Sequence, residues 1–145
     1  PTGSPDAPPV KVCTKIGCMS ALTVTFDGAA NKKGKYTIKL ESAEGTGTCE
    51  ITLPFKSCEK GLAKCEGTMP ITIDESQDPC KIPAKDQSLL PVKIGVAPDT
   101  VEVTVTRDKK AAAKATITPT YETNQPNGPG CEPTCKVGSA AVTVK

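Results

Sequence analysis

The chain has no histidine and no tryptophan among its 145 residues, and only two phenylalanines and two tyrosines. Without histidine, the commonest general base is missing, and so are the Ser–His and Cys–His pairs that activate a nucleophile. Zinc loses its imidazole ligands as well. The cysteines offer no Cys-x-x-Cys knuckle in their place, since Cys13-x4-Cys18 and Cys131-x3-Cys135 are ill-spaced for zinc. No serine stands in a Gly-x-Ser-x-Gly elbow, and neither a glycine-rich phosphate loop nor an Asn-x-Ser/Thr acceptor occurs. The one dense acidic cluster, Asp74, Glu75 and Asp78, lies on a single loop, whereas a glycosidase needs two carboxyl groups across a cleft. That cluster also lacks the acid-x-acid-x-acid spacing and the glycine of a calcium loop. The expectation is a non-enzymatic protein with no catalytic residue, no cofactor and no metal ligand.

Positive charge is equally one-sided in kind. Seventeen of the 18 basic residues are lysine, and the net charge is only +2. Nucleic-acid binders present a basic stripe with arginines or stacking aromatics, so nucleic acid is not an expected partner. Lys32, Lys33 and Lys35 form the densest basic run and read as a solvated loop. No apolar run approaches the length of a membrane span. The chain opens at Pro1 without methionine, from which an already removed signal peptide is expected, with a lipid or linker tether upstream of Pro1 as one option.

What is present is alternation. Val101, Val103 and Val105 alternate with Glu102, Thr104 and Thr106. After Arg107-Asp108-Lys109-Lys110 the period resumes with Ala115, Ile117, Pro119 and Tyr121 on one side. Two half-buried strands joined by a charged turn make a β-hairpin, against the helical propensity of Lys109–Ala115. Further inward sets are Leu22/Val24/Phe26, Tyr36/Ile38/Leu40, Cys49/Ile51/Leu53/Phe55, Met69/Ile71/Ile73, Val92/Ile94/Val96 and Ala140/Val142/Val144. Val10 and Val12 flank Lys11 as a short first strand. Residues 56–68 and 74–88 carry no period and read as loops. About nine short strands with frequent turn signals and no convincing helix predict an all-β, antiparallel, Ig-like sandwich over residues 10–145. An up-and-down barrel is the alternative. Residues 1–9, with four prolines and no large apolar side chain, read as a linker or docking tail.

Eight cysteines in a small strand-rich chain predict a disulfide framework and hence an oxidising compartment, outside the cell or on its outer surface. Spacing suggests two local groups. Cys49–Cys58 and Cys65–Cys80 would each close a short loop. Cys13, Cys18, Cys131 and Cys135 would either tie the chain ends together or close two tight local loops. Three residues separate Cys131 from Cys135 in a Pro/Gly-rich loop, where a redox couple has two at a helix start. That pair therefore reads as structural.

The order Cys13-x4-Cys18, the Val103-Thr-Val-Thr-Arg-Asp108 hairpin and the run Asn127-Gly-Pro-Gly-Cys131-Glu-Pro-Thr-Cys135 resemble a group of uncharacterised bacterial secreted or lipoprotein domains. The resemblance runs from Cys13 to Val144 and implies an Ig-like or fibronectin-III-like sandwich at the cell surface. It brings no activity and no site residue with it.

Three functional classes follow. The first is an extracellular, cell-surface structural or binding module, tethered through residues 1–9, with the stapled loops 56–80 and 124–138 as contact surfaces. The second is a self-assembling, pilus-like subunit whose N-terminal segment adds to a neighbour's sheet edge. Val10 and Val12 would be its contact residues, because the prolines before them cannot donate to a ladder. The third is a secreted inhibitor presenting Lys56–Lys64. The partner is thus a protein or cell-surface component, or further copies of the chain.

Overall fold

The alternation at Val101, Val103 and Val105 becomes the centre of a sheet. In the computed structural model, which describes residues 12–55, 63–75 and 81–145, these valines lie on β7 (Val101–Arg107) and are fully buried. Asp108 and Lys109 then turn the chain at positive φ, 51° and 68°. A two-residue turn of this hand matches the twist of the strands it joins. The return strand is β8 (Lys110–Ile117), so the Ala/Lys run is strand and its helical propensity is overridden by pairing. A bulge opposite Val105/Thr106 leaves Ala112 as the extra, buried residue. With Lys110 and Lys114 it blunts an edge strand that would otherwise invite pairing with another chain.

The remaining strands are β1 (Ala21–Gly28), β2 (Gly34–Ser42), β3 (Gly45–Leu53), β4 (Ala63–Gly67), β5 (Ile71–Ile73), β6 (Val92–Ile94), β9 (Tyr121–Asn124) and β10 (Cys135–Val144). They form two five-stranded sheets, β5-β6-β1-β10-β9 and β4-β3-β2-β7-β8. The chain passes between the sheets four times, after β1, β4, β6 and β8. This is the disulfide-stapled, Ig-like β-sandwich that the alternation predicts. Seven of the eight ladders are antiparallel. The exception joins the first strand to the last, β1 parallel to β10 from Ala21↔Val137 to Gly28↔Val144.

The core lies between the sheets. Leu22, Val24, Val92, Ile94 and Val142 face Tyr36, Ile38, Leu40, Ile51, Val103 and Val105, almost all without solvent contact. Each such side chain contributes about 1.5–3 kcal/mol by leaving water. Tyr36 is the one fully buried aromatic residue among those described, and its hydroxyl donates to the Lys32 carbonyl at 2.6 Å. That bond fixes the 29–33 loop against the start of β2. Two glycines let the same end close. At Gly28 (φ +72°) a Cβ would stand 2.5 Å from the Val144 carbonyl oxygen, and at Gly34 (φ +146°) 2.7 Å from an Asp108 carboxylate oxygen.

Among the described residues ten strands replace the nine expected, for three reasons. Val12 is exposed and outside any strand, and Val10 lies outside the described residues, so the first expected strand is not seen. β4 occupies part of the expected 56–68 loop. Its residues alternate between half-buried and exposed with only Ala63 and Cys65 turned inward, so it carries no apolar period. The continuous run drawn from Ala115 to Tyr121 is broken. The chain leaves one sheet after Ile117 and enters the other at Tyr121.

Candidate functional site

The pairing registers give the sandwich two poles with different chemistry. At one pole β1, β5, β7 and β10 begin and β2, β4, β6 and β8 end. There the segment before β1 is fastened to the 125–135 loop. Cys13 bonds to Cys131 and Cys18 to Cys135, with Cα–Cα separations of 5.7 and 6.1 Å. Of the two arrangements left open for these four cysteines, the structure takes the one that ties the chain ends together.

Between the two bridges lies Asn127, 93% buried and fully satisfied. Its Oδ1 accepts from the Thr14 hydroxyl and from the Ile16 amide at 2.8 Å. Its Nδ2 donates to the carbonyls of Ile16 at 2.8 Å and Glu132 at 2.9 Å. The side-chain amide thus pairs with both main-chain groups of Ile16 as a neighbouring strand would. The Thr134 main-chain amide donates a hydrogen bond to the Glu132 carboxylate, and the Lys136 amide donates to the Ser20 hydroxyl oxygen. This clamp joins 13–20 to 127–136, although the segment before β1 belongs to neither sheet.

The third bridge corrects the expected pairing. Cys49 bonds to Cys65, replacing Cys49–Cys58 and Cys65–Cys80. The two residues face each other in the β3–β4 register with Cα atoms 4.1 Å apart. Strand pairing sets that proximity, and it is invisible while β4 reads as loop. Cys58 and Cys80 lie outside the described residues, as do Asp78 and most of the Lys56–Lys64 loop. The described cysteines are all oxidised, which places the protein in an oxidising compartment. Among the described residues no helix is long and apolar enough to cross a membrane.

Val12 is 85% exposed, and Ile16, Met19 and Val137 are exposed on the same pole. Carboxylates also gather there. Glu44 sits at the β2–β3 turn, Glu66 near the end of β4, Asp99 before β7, Glu122 on β9 and Glu132 in the clamp. Glu41 and Glu102 are there too, paired with Lys39 at 2.8 Å and Lys114 at 3.4 Å. The hydrogen bond and charge of Lys39 hold the Glu41 carboxyl below its usual range and in turn raise the Lys39 ammonium. Burial, followed by the Asp99 charge, raises the Tyr121 phenol, which donates to the Pro98 carbonyl at 2.6 Å.

The opposite pole is cationic. Lys32 and Lys33 on the β1–β2 loop and Lys35 at the start of β2 stand beside the 107–110 turn. The Asp108 amide donates to the Lys35 carbonyl, while the Lys35 amide donates to Asp108 Oδ1 at 3.0 Å. Arg107 reaches the Lys145 main-chain oxygen at 2.8 Å and lies 5.9 Å from the centre of the Tyr36 ring. Lys109, Lys110 and Lys145 are exposed on the same surface. Segments separated by up to about 110 residues in sequence thus share one basic end. Reading the lysine run at 32–35 as a solvated loop missed this, because its companions arrive through the β2–β7 register and not through sequence proximity.

Among the described residues no group of three or more Cys, Asp or Glu side chains is placed to hold a metal ion. Compared with protein-family models, curated proteins and solved structures, the chain matches none.

Proposed function

We propose that the protein is a non-enzymatic, extracellular structural or binding module, carried by its N-terminal segment and displaying its far pole. The observation that carries this reading is the double-bridged clamp. Residues 13–18 add nothing to either sheet, yet two disulfides and the Asn127 amide fix them to the sandwich. The bridges stabilise the fold by closing the chain, but the Asn127 pairing goes further and fixes the course of the segment itself, as an attachment point requires. A pull on the preceding chain passes through Cys131 and Cys135 to β10, which is hydrogen-bonded on both sides, and does not peel β1 from its sheet. By composition, the proline-rich residues 1–9 suit a semi-rigid spacer. As in the secreted bacterial domains it resembles, the module would stand on the outer cell surface.

A second reading, a self-assembling filament subunit, draws support from the exposed Val12, Ile16 and Met19 beside the tail. Sedimentation of the oxidised full chain and of residues 13–145 separates the two. The tethered module predicts a monomer for both forms up to high concentration. Larger species that form with the full chain and vanish with the truncation overturn it in favour of the filament.

A further inference from the structure

The free pole has the chemistry of a polyanion-binding surface. Lys32, Lys33 and Lys35 come from one segment, Arg107, Lys109 and Lys110 from a second, and Lys145 from a third. Main-chain hydrogen bonds hold these segments together. The Ala29 amide donates to the Val144 carbonyl at 2.7 Å, and Asp108 pairs with Lys35 through both its amide and its carboxylate. Among the described residues Asp74, Glu75 and Asp86 also stand at this end, with Lys81 and Lys85. Beside the seven cationic groups themselves lie three carboxylates, Asp27, Glu50 and Asp108. Two of those are already engaged, Glu50 with the Lys35 ammonium at 3.9 Å and Asp108 with the Lys35 amide. Lys32, Lys33, Lys109 and Lys110 are exposed and take part in no ion pair among the described residues. The +2 net charge of the chain conceals this local excess, because the clamped pole carries the opposite sign.

The surface also limits the form of the partner. The recess between Lys35, Thr37, Glu50, Asp108 and Lys109 is open, and the cations are spread across it without converging on one point. An extended polymer can engage them together, where a single small anion cannot. The described part of this pole exposes no large apolar side chain; Val12, Ile16, Met19 and Val137 all lie at the other end. Among the described residues, insertion into a membrane therefore has no anchor here. Nor is there an exposed aromatic platform for bases or sugar faces: Tyr36 is buried, and Arg107 is engaged by Tyr36 and Lys145. What is left is recognition of anionic groups by lysine point charges. In the oxidising compartment fixed by the disulfides, we propose that this pole binds an anionic polysaccharide, its sulfate, phosphate or carboxylate groups spread along the lysines. The inference rests on the tethered-module reading, which leaves this pole facing outward.

The test is a titration of the oxidised full chain with a sulfated heparin decasaccharide and, separately, a polygalacturonate oligomer. Binding is expected to at least one of them, and to be strongly salt-dependent. If about four anionic groups are neutralised by lysines on binding, raising salt from about 50 to 200 mM weakens it roughly 50- to 150-fold. Lys32→Glu with Lys33→Glu should weaken it about 10-fold or more at the lower salt. Lys15→Glu with Lys136→Glu, the same change in net charge at the clamped pole, should alter it less than about 3-fold. Several results would overturn the proposal. They are no binding to either glycan at low salt, equal losses in both variants, or tighter binding to duplex DNA or phosphatidylserine vesicles than to the glycans. Salt-sensitive self-association abolished by Lys32→Glu/Lys33→Glu would also overturn it, since the occupant would then be the acidic pole of a second copy. Failure of the titrations leaves a monomeric, N-terminally clamped module intact, whereas failure of that reading shows in sedimentation.

Discussion

Asn127 is the residue on which the clamp turns. A buried amide that both donates and accepts toward the same main-chain unit can be replaced by neither an apolar group nor an acid. In Asn127→Asp the atom that donated becomes a second acceptor, facing the carbonyls of Ile16 and Glu132 across 2.8–2.9 Å. Lost bonds and unpaired buried acceptors should together cost about 2–4 kcal/mol, read from the urea midpoint of the oxidised protein. Amides of residues 14–17 should lose exchange protection while the β2–β7 ladder keeps its own. A variant as stable as the parent would show that the bridges alone hold the segment. The sequence hinted at this residue only through its setting, Asn127-Gly128-Pro129-Gly130. A turn asparagine and a buried pairing node look alike in one dimension, because partners 111 residues away decide between them.

At the scale of the element, strands with a clean apolar period were legible and strands without one were not. β7, β2 and β1 bury alternate residues, so their valines, isoleucines and leucines announced them. β4 is the contrary case. It lies at a sheet edge with little apolar surface, and the Cys49–Cys65 bridge holds it to β3. Substituting both cysteines by alanine removes the constraint on a short loop and should cost about 3 kcal/mol. Because β4 has few other contacts with the core, the loss should be local first. Amide exchange of residues 63–67 should rise to that of a solvated loop while Ile38 and Val105 remain protected. Uniform loss of protection across both sheets would instead make β4 part of the cooperative core. The charged pole was illegible for a related reason. Its lysines come from separate segments, and only the β2–β7 register and the β1–β10 pairing bring them to one end.

For the whole molecule the two clamp bridges matter through their span. They enclose 118 and 117 residues, nearly the full sandwich, in a chain with few large core side chains. A single crosslink across so long a loop removes about 5 kcal/mol of unfolded-state entropy by the loop-closure relation. The second does much less. Once Cys13 is bonded to Cys131, closing Cys18 to Cys135 adds only a ring of about ten residues, worth roughly 2.7 kcal/mol. Removing either bridge by paired Cys→Ala substitution should therefore cost about 3 kcal/mol, since the other still closes the long loop. Removing both should cost about 7–8 kcal/mol, more than twice either single loss and comparable with the whole stability of an ordinary domain. Urea unfolding of the two single-bridge variants decides the matter even if the four-cysteine variant does not fold. Losses near 3 kcal/mol each support a redundant pair closing one loop. A loss near 5 kcal/mol for one and none for the other would mean that a single bridge carries the closure and its neighbour does nothing for the fold.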